Sequence, residues 1–353
     1  MRIVLHIGMP KAGSSALQGA LTRARGALRR KGVLYPKTRL NHNFLIAGLA
    51  PPDRMGRLFQ QHYDGDADAI RADFADFWGG IVDSVRREAP STVVLSSEFL
   101  FGAVGEAGGD ALRALLAPLG GSTEIICYVR RPSDYYLSMA QQRLKASWVI
   151  RPVEAIGYRR SLEAALVAAE RVHAVPYDRS LFPDGDVVAD FAARFMPEAA
   201  ADLRAVTDLK VKPSMSAEAM AIVQAYRRSH HPDENDRFTP DTGQLVRRLG
   251  EREAELGGRR RPELLPHVRD HIDQSSVDLL WLRDTFGIVF DGIDYVTIAA
   301  RAGLTPESVD EICVVDPERR RLLEPTAESH SVPLENPAKR RRFRSLFLGR
   351  RRR

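Results

Sequence analysis

The chain is poor in cysteine, with only Cys127 and Cys313 in 353 residues. Two thiols cannot build a disulfide framework, and these two lack the paired spacing of a zinc site. Cys127 stands inside the apolar run "TEIICYV" (123–129), which suits a buried, inert thiol. Long hydrophobic runs are also missing. None approaches the ~20 residues of a membrane span. The apolar stretch at the start, Ile3 to Ile7, is too short for a secretory leader and runs directly into a loop of functional type. A cytoplasmic protein is expected. Internal repeats are absent, which sets solenoids and propellers aside.

Acidic residues are missing from one stretch only. Residues 339–353, "KRRRFRSLFLGRRRR", hold nine Lys or Arg and no Asp or Glu. The net charge is +6, so the rest of the chain is mildly acidic. Basic character therefore belongs to the tail, and no nucleic-acid footprint over the whole domain is indicated. The two arginine blocks bracket Phe343, Leu346, Phe347 and Leu348. That pattern suits peripheral contact with an anionic inner membrane surface, with a disordered basic tail of nonspecific polyanion affinity as the alternative.

What is present is an alternation of short apolar runs with amphipathic stretches. Residues 2–7, 32–36, 91–98, 123–129 and 172–177 read as strands or short extended segments. Between them, Leu17, Ala20, Leu21, Ala24 and Leu28 recur at helical spacing, as do Phe74, Phe77, Trp78, Ile81 and Val85. This predicts an α/β fold with a doubly wound, mostly parallel sheet flanked by helices. The core is expected over 1–190, a helical extension over 191–316, and a disordered basic tail over 317–353.

"LHIGMPKAGSSALQ" (5–18) reads as strand, loop, helix. Such a loop presents backbone N–H groups and the positive end of a helix dipole, so with Lys11, Ser14 and Ser15 it suits a tetrahedral anion. Gly8 and Gly13 have the spacing of a nucleoside-triphosphate loop, Gly-x-x-x-x-Gly-Lys-[Ser/Thr], yet Ser14 stands where its lysine belongs. Lys11 lies inside the loop beside Pro10. From there a lysine reaches the point where a bridging oxygen leaves a bound phosphate chain.

The segment "HIGMPKAGSSALQ" resembles the 5′-phosphosulfate loop of sulfotransferases that use 3′-phosphoadenosine 5′-phosphosulfate (PAPS). Those loops read Pro-Lys-[Ser/Thr/Ala]-Gly-[Ser/Thr]-[Ser/Thr]. The resemblance implies that Pro10, Lys11, Ala12, Gly13, Ser14, Ser15 and Ala16 hold the 5′ end of PAPS, on a fold similar to that of P-loop NTPases, with no metal. A second motif of that family pairs a strand-end arginine with a serine eight residues on, both on the 3′-phosphate. "CYVRRPSDYYLSM" offers Arg130 and Ser138 at that spacing. "PYDRSLFPDGDVVADFAARF" resembles a recurrent segment of bacterial members. The likeness covers residues 1 to about 190, is loose to about 300, and does not reach the tail. The family's glycine-rich closing loop has no counterpart, though Arg259 to Arg261 in "GGRRRPE" offer a substitute.

For catalysis, Lys11 is expected to stabilise the leaving group, and Glu98 or His42 to act as base. Glu98 ends a buried strand at the ligand edge of the sheet, with a helix N-terminal acid as the plainer reading. His42, in "RLNHNFL", titrates near neutrality without tuning, with a loop histidine contacting substrate as the alternative. His6 is expected in the core, Tyr135 and Tyr136 against the sheet, and His230 and His231 in solvent without a metal. The expected activity is sulfuryl transfer from PAPS to a hydroxyl or amino group of a carbohydrate or glycolipid. The rivals are an atypical P-loop kinase and a non-catalytic module that binds nucleotide or another anion.

Overall fold

Runs rich in Val, Ile and Leu form the centre of the computed structural model, which describes residues 1–38, 42–56, 59, 62–206 and 214–328. They are strands β1 (Arg2–Ile7), β2 (Val33–Leu34), β3 (Thr92–Ser97), β4 (Ser122–Val129) and β5 (Arg171–Pro176). All pair in parallel, in the order β2-β3-β1-β4-β5. The three inner strands are buried almost end to end, as strands covered by helices on both faces require. The fold is α/β, with a five-stranded, wholly parallel sheet, consistent with double winding.

Helix α1 (Ser14–Arg30) buries Leu17, Ala20, Leu21, Ala24 and Leu28 on one face and carries Arg29 and Arg30 in its last turn, where they complement the dipole. Helix α2 (Ala67–Glu88) starts at Asp66, whose carboxylate caps the Ala69 N–H, and buries Phe77, Ile81 and Val85. After β3 come α3 (Leu100–Ala107) and α4 (Gly109–Leu116), both packed on α6 (Arg159–Ala168). Helix α5 (Pro132–Leu144) follows β4 directly, and α7 (Val187–Phe195) and α8 (Ala200–Ala205) follow β5. From β1 the chain crosses to β2, returns to β3 beside β1, then passes to β4 on β1's other flank. The strand order therefore reverses around β1, and the crevice for a ligand lies beyond the carboxyl ends of β1, β3 and β4.

The helical extension comprises α9 (Ala217–His230), α10 (Pro240–Glu255), α11 (Pro266–Ser275), α12 (Asp278–Phe286) and α13 (Pro317–Glu328). It has its own apolar cluster, including Met220, Val223, Leu245, Leu249, Ile272 and Leu323, which α5 joins through Tyr136 and Leu144. The expected border at 190 is not clean, because Leu279 and Leu282 of α12 pack into the cluster around the sheet.

Two sequence readings need correction here. The ordered chain does not stop at 316: α13 packs on α9 and α10, Leu323 is fully buried, and Arg319 donates to the Leu256 carbonyl at 3.3 Å and the Gly258 carbonyl at 2.6 Å. Charge-rich composition concealed one apolar anchor and one guanidinium serving the end of α10. Arg259 and Arg260 are likewise structural. Arg259 donates to the Gly250 carbonyl and Arg260 pairs with Asp316, so neither is a cofactor clamp. Residues 329–353, including the basic stretch 339–353 and its expected membrane contact, lie outside the described residues. Among the described residues no helix is long and apolar enough to cross a membrane. Both cysteines are buried, and burial pushes each thiol up to about 12.

Candidate anion site at the carboxyl edge of the sheet

Strand β1 leads into the loop Gly8–Gly13, which bends so tightly that two residues adopt left-handed backbone, Lys11 at φ 67° and Gly13 at φ 82°. Gly13 suits this because it has no Cβ. A Cβ there would also come within 2.8 Å of Val187 and 2.9 Å of the Tyr177 ring. At Gly8 a Cβ would sit 2.2 Å from the Ser14 Oγ and 3.1 Å from the Glu98 Cα. The Ser14 hydroxyl thus lies directly over the loop's first residue. Helix α1 begins at Gly13 without a side-chain cap, leaving its first turn available to an anion.

Lys11 is not a glycine, and a left-handed lysine is held there only by its surroundings. Its backbone N–H donates to the Glu98 carboxylate, and its carbonyl accepts from Arg130 Nη1 at 2.9 Å. The ends of β3 and β4 therefore grip the same loop residue from opposite sides. Burial pushes the Glu98 carboxyl up, ahead of the lowering effect of the Lys11 charge. The Glu98 N–H donates in turn to the Asn43 side chain at 2.8 Å, which fixes where the carboxylate starts.

Three buried polar atoms near this edge have no hydrogen-bond partner among the described residues: Ser14 Oγ, Ser97 Oγ and Arg130 Nε. Ser14 is 2% exposed and Ser97 fully buried. Ser97 pairs in register with Ile7, and its carbonyl accepts the Gly8 N–H at 2.9 Å. Unsatisfied buried donors cost stability unless something meets them. The two hydroxyls and an uncapped helix start make a donor-rich cradle suited to a phosphate or sulfate group, and Arg130 leaves a further donor at the same edge for a second anionic group. The residues present therefore fit the 5′ end of a phosphosulfate.

Most sequence-predicted residues converge here. Pro10, Lys11, Ala12, Gly13, Ser14, Ser15 and Ala16 form the loop and first turn, with Glu98 and Arg130 against them. Ser138 lies half-buried about two turns into α5. His42 does not belong to the reacting group. It is 3% exposed, its Nε2 donates to the Pro36 carbonyl at 3.1 Å, and its Nδ1 accepts the Ser96 N–H at 3.3 Å. Burial lowers it to about 4. With both nitrogens engaged by backbone, it is a neutral structural histidine and not the base. His6 is also in the core, bonded through Nδ1 to Ser96 Oγ at 2.8 Å. His231 Nε2 bonds Asp241 at 2.6 Å, at the far end of α9.

Sequence reasoning missed three contributors. Asn43, next to His42, is what that segment supplies to the site. Tyr177 follows β5 immediately and lies between Gly13 and Arg130, with the guanidinium carbon 5.7 Å from its ring centroid. The rule that found Glu98 and Arg130, a polar residue just past a parallel strand, would have found it too. Asp273 is the third. It binds the Arg131 guanidinium at 2.8 Å and both the N–H and hydroxyl of Ser133 at 3.0 Å. The Arg-Arg pair is thus divided, with Arg130 on the loop and Arg131 tying the extension to the start of α5.

Comparison of the chain with family models, with curated proteins and with solved structures finds no match.

Proposed function

We propose that the chain transfers a sulfuryl group from PAPS to a hydroxyl or amino group. The observation that carries this reading is the double grip on Lys11: Glu98 holds its N–H and Arg130 its carbonyl. A lysine so placed sits inside the anion loop, beside a carboxylate whose proton affinity burial has raised. That is the pairing sulfuryl transfer needs. The acceptor oxygen bonds to sulfur while the bond from sulfur to the bridging phosphate oxygen breaks. The Glu98 carboxylate takes the acceptor's proton, and the Lys11 ammonium stabilises the charge left on the phosphate. Adenosine 3′,5′-bisphosphate is released. On this reading Arg130, with Ser138 on α5, holds the 3′-phosphate.

A P-loop kinase would prefer ADP and ATP. Calorimetric titration with adenosine 3′,5′-bisphosphate and ADP decides the matter. A charge-assisted phosphate contact supplies about 1.5–3 kcal/mol, or roughly 10–100-fold. The bisphosphate is therefore expected to bind at least tenfold more tightly than ADP. Equal affinities would refute the sulfotransferase reading.

A further inference from the structure

Resting on that reading, we infer that the acceptor is amphipathic, a hydroxyl compound with an extended aromatic or aliphatic body, and that it occupies the cavity beside α5. This cavity measures about 1230 Å³, larger than the ~300–1,000 Å³ typical of small-molecule sites. It starts where the anion site ends. Phe99, in its wall, directly follows Glu98. Tyr135, also in its wall, feels both the Glu98 and the Arg151 charges, although burial is the largest influence on its hydroxyl.

Much of the wall is aromatic and apolar: Phe59, Phe99, Tyr135, Tyr136 and Met139 line it. Phe59 and Phe99 are already fixed edge to face at 5.9 Å, so this surface is formed in advance of any ligand. The charges in the wall are largely answered. Arg143 pairs with Asp236 at 2.6 Å, and Arg237 with Glu234 at 3.5 Å. Glu154 and Arg151 remain, both exposed at the rim. A free sugar would have to desolvate its hydroxyls against these rings with few partners, which is costly. A ring system or acyl chain would bury apolar area there and direct a terminal hydroxyl to Glu98, with Arg151 available to an anionic substituent.

The test is calorimetric binding of 4-methylumbelliferyl sulfate and of glucose 6-sulfate to the full chain without nucleotide. The aryl sulfate is expected to bind at least tenfold more tightly. Ala140→Phe, which fills the cavity from α5, is expected to weaken it tenfold or more while adenosine 3′,5′-bisphosphate binding is retained, which also certifies the fold. Equal binding of the two sulfates overturns the acceptor class, and aryl binding indifferent to Ala140→Phe overturns the location. Because nucleotide is absent from the aryl titration, its failure is distinguishable from failure of the nucleotide preference.

Discussion

Gly8→Ala tests whether the loop after β1 holds an anion through Ser14. The new Cβ would stand 2.2 Å from Ser14 Oγ, 3.2 Å from Ser14 Cβ and 3.1 Å from the Glu98 backbone. Neither neighbour can yield freely, since Ser14 is 2% exposed in the first turn of α1 and Glu98 directly follows a core strand. Overpacking of this kind costs about 1–3 kcal/mol. Displacing the hydroxyl removes one charge-assisted contact, about 1.5–3 kcal/mol, so adenosine 3′,5′-bisphosphate should bind roughly 10–100-fold more weakly. Urea unfolding and calorimetry read the two effects separately. In Gly8→Ala/Ser14→Ala the shortest clash is gone, so much of the stability should return while the affinity stays low. If Gly8→Ala alone binds the bisphosphate within threefold of the native chain, Ser14 is not part of an anion cradle.

Glu98→Gln keeps an oxygen for the Lys11 N–H but cannot take the acceptor's proton, so turnover should fall ~10²-fold with little change in bisphosphate affinity; activity within threefold would place the base elsewhere. Lys11→Ala should likewise lower kcat far more than product affinity, whereas His42→Gln should cost stability and leave kcat nearly intact. Burial lowers His6 and His42 to about 4, against 6.5 ordinarily. The unfolded chain takes up protons below 6.5 that these folded histidines refuse. Stability should therefore be full above about pH 6.5 and fall toward pH 4, by ~3 kcal/mol per histidine at the limit; unchanged urea midpoints between pH 7 and pH 5 would contradict their burial as neutral groups.

The inner strands were legible because each is a short run rich in Val, Ile and Leu buried on both faces, and their shortness together with the helical spacing of the stretches between them separates the two. Glu98 and Arg130 were legible because strand ends of a doubly wound sheet face the ligand edge. The role of His42 was not legible, because its chemistry depends on two backbone partners, Pro36 and Ser96, that only the fold brings to its nitrogens. Asp273 lies 140 residues from Ser133 in sequence and bonds it in space. No local pattern encodes that meeting. Arg319 and Leu323 were obscured for a related reason: a helix with one buried anchor among many charges has the composition of a disordered tail.

The place of the lysine inside the loop has a physical explanation in the two grips. A lysine directly after Gly13 would sit within α1, with its backbone committed to helical geometry. At position 11 the backbone is left-handed, and that costs of order 1–3 kcal/mol for a residue other than glycine. The cost is offset by two charge-assisted hydrogen bonds, Lys11 N–H to the Glu98 carboxylate and Arg130 to the Lys11 carbonyl. The arrangement ties the Glu98 and Arg130 side chains to the main chain of the loop residue that carries the ammonium, instead of to its flexible side chain. Glu98 cannot drift from Lys11 without releasing the loop, and Arg130 cannot swing away without exposing its carbonyl. Preorganisation of this kind is what a transfer reaction requires of its charged groups before substrate arrives. On the proposed reading Glu98 has two duties, bracing the loop and accepting a proton. Glu98→Gln separates these two duties, whereas Glu98→Ala would abolish both together.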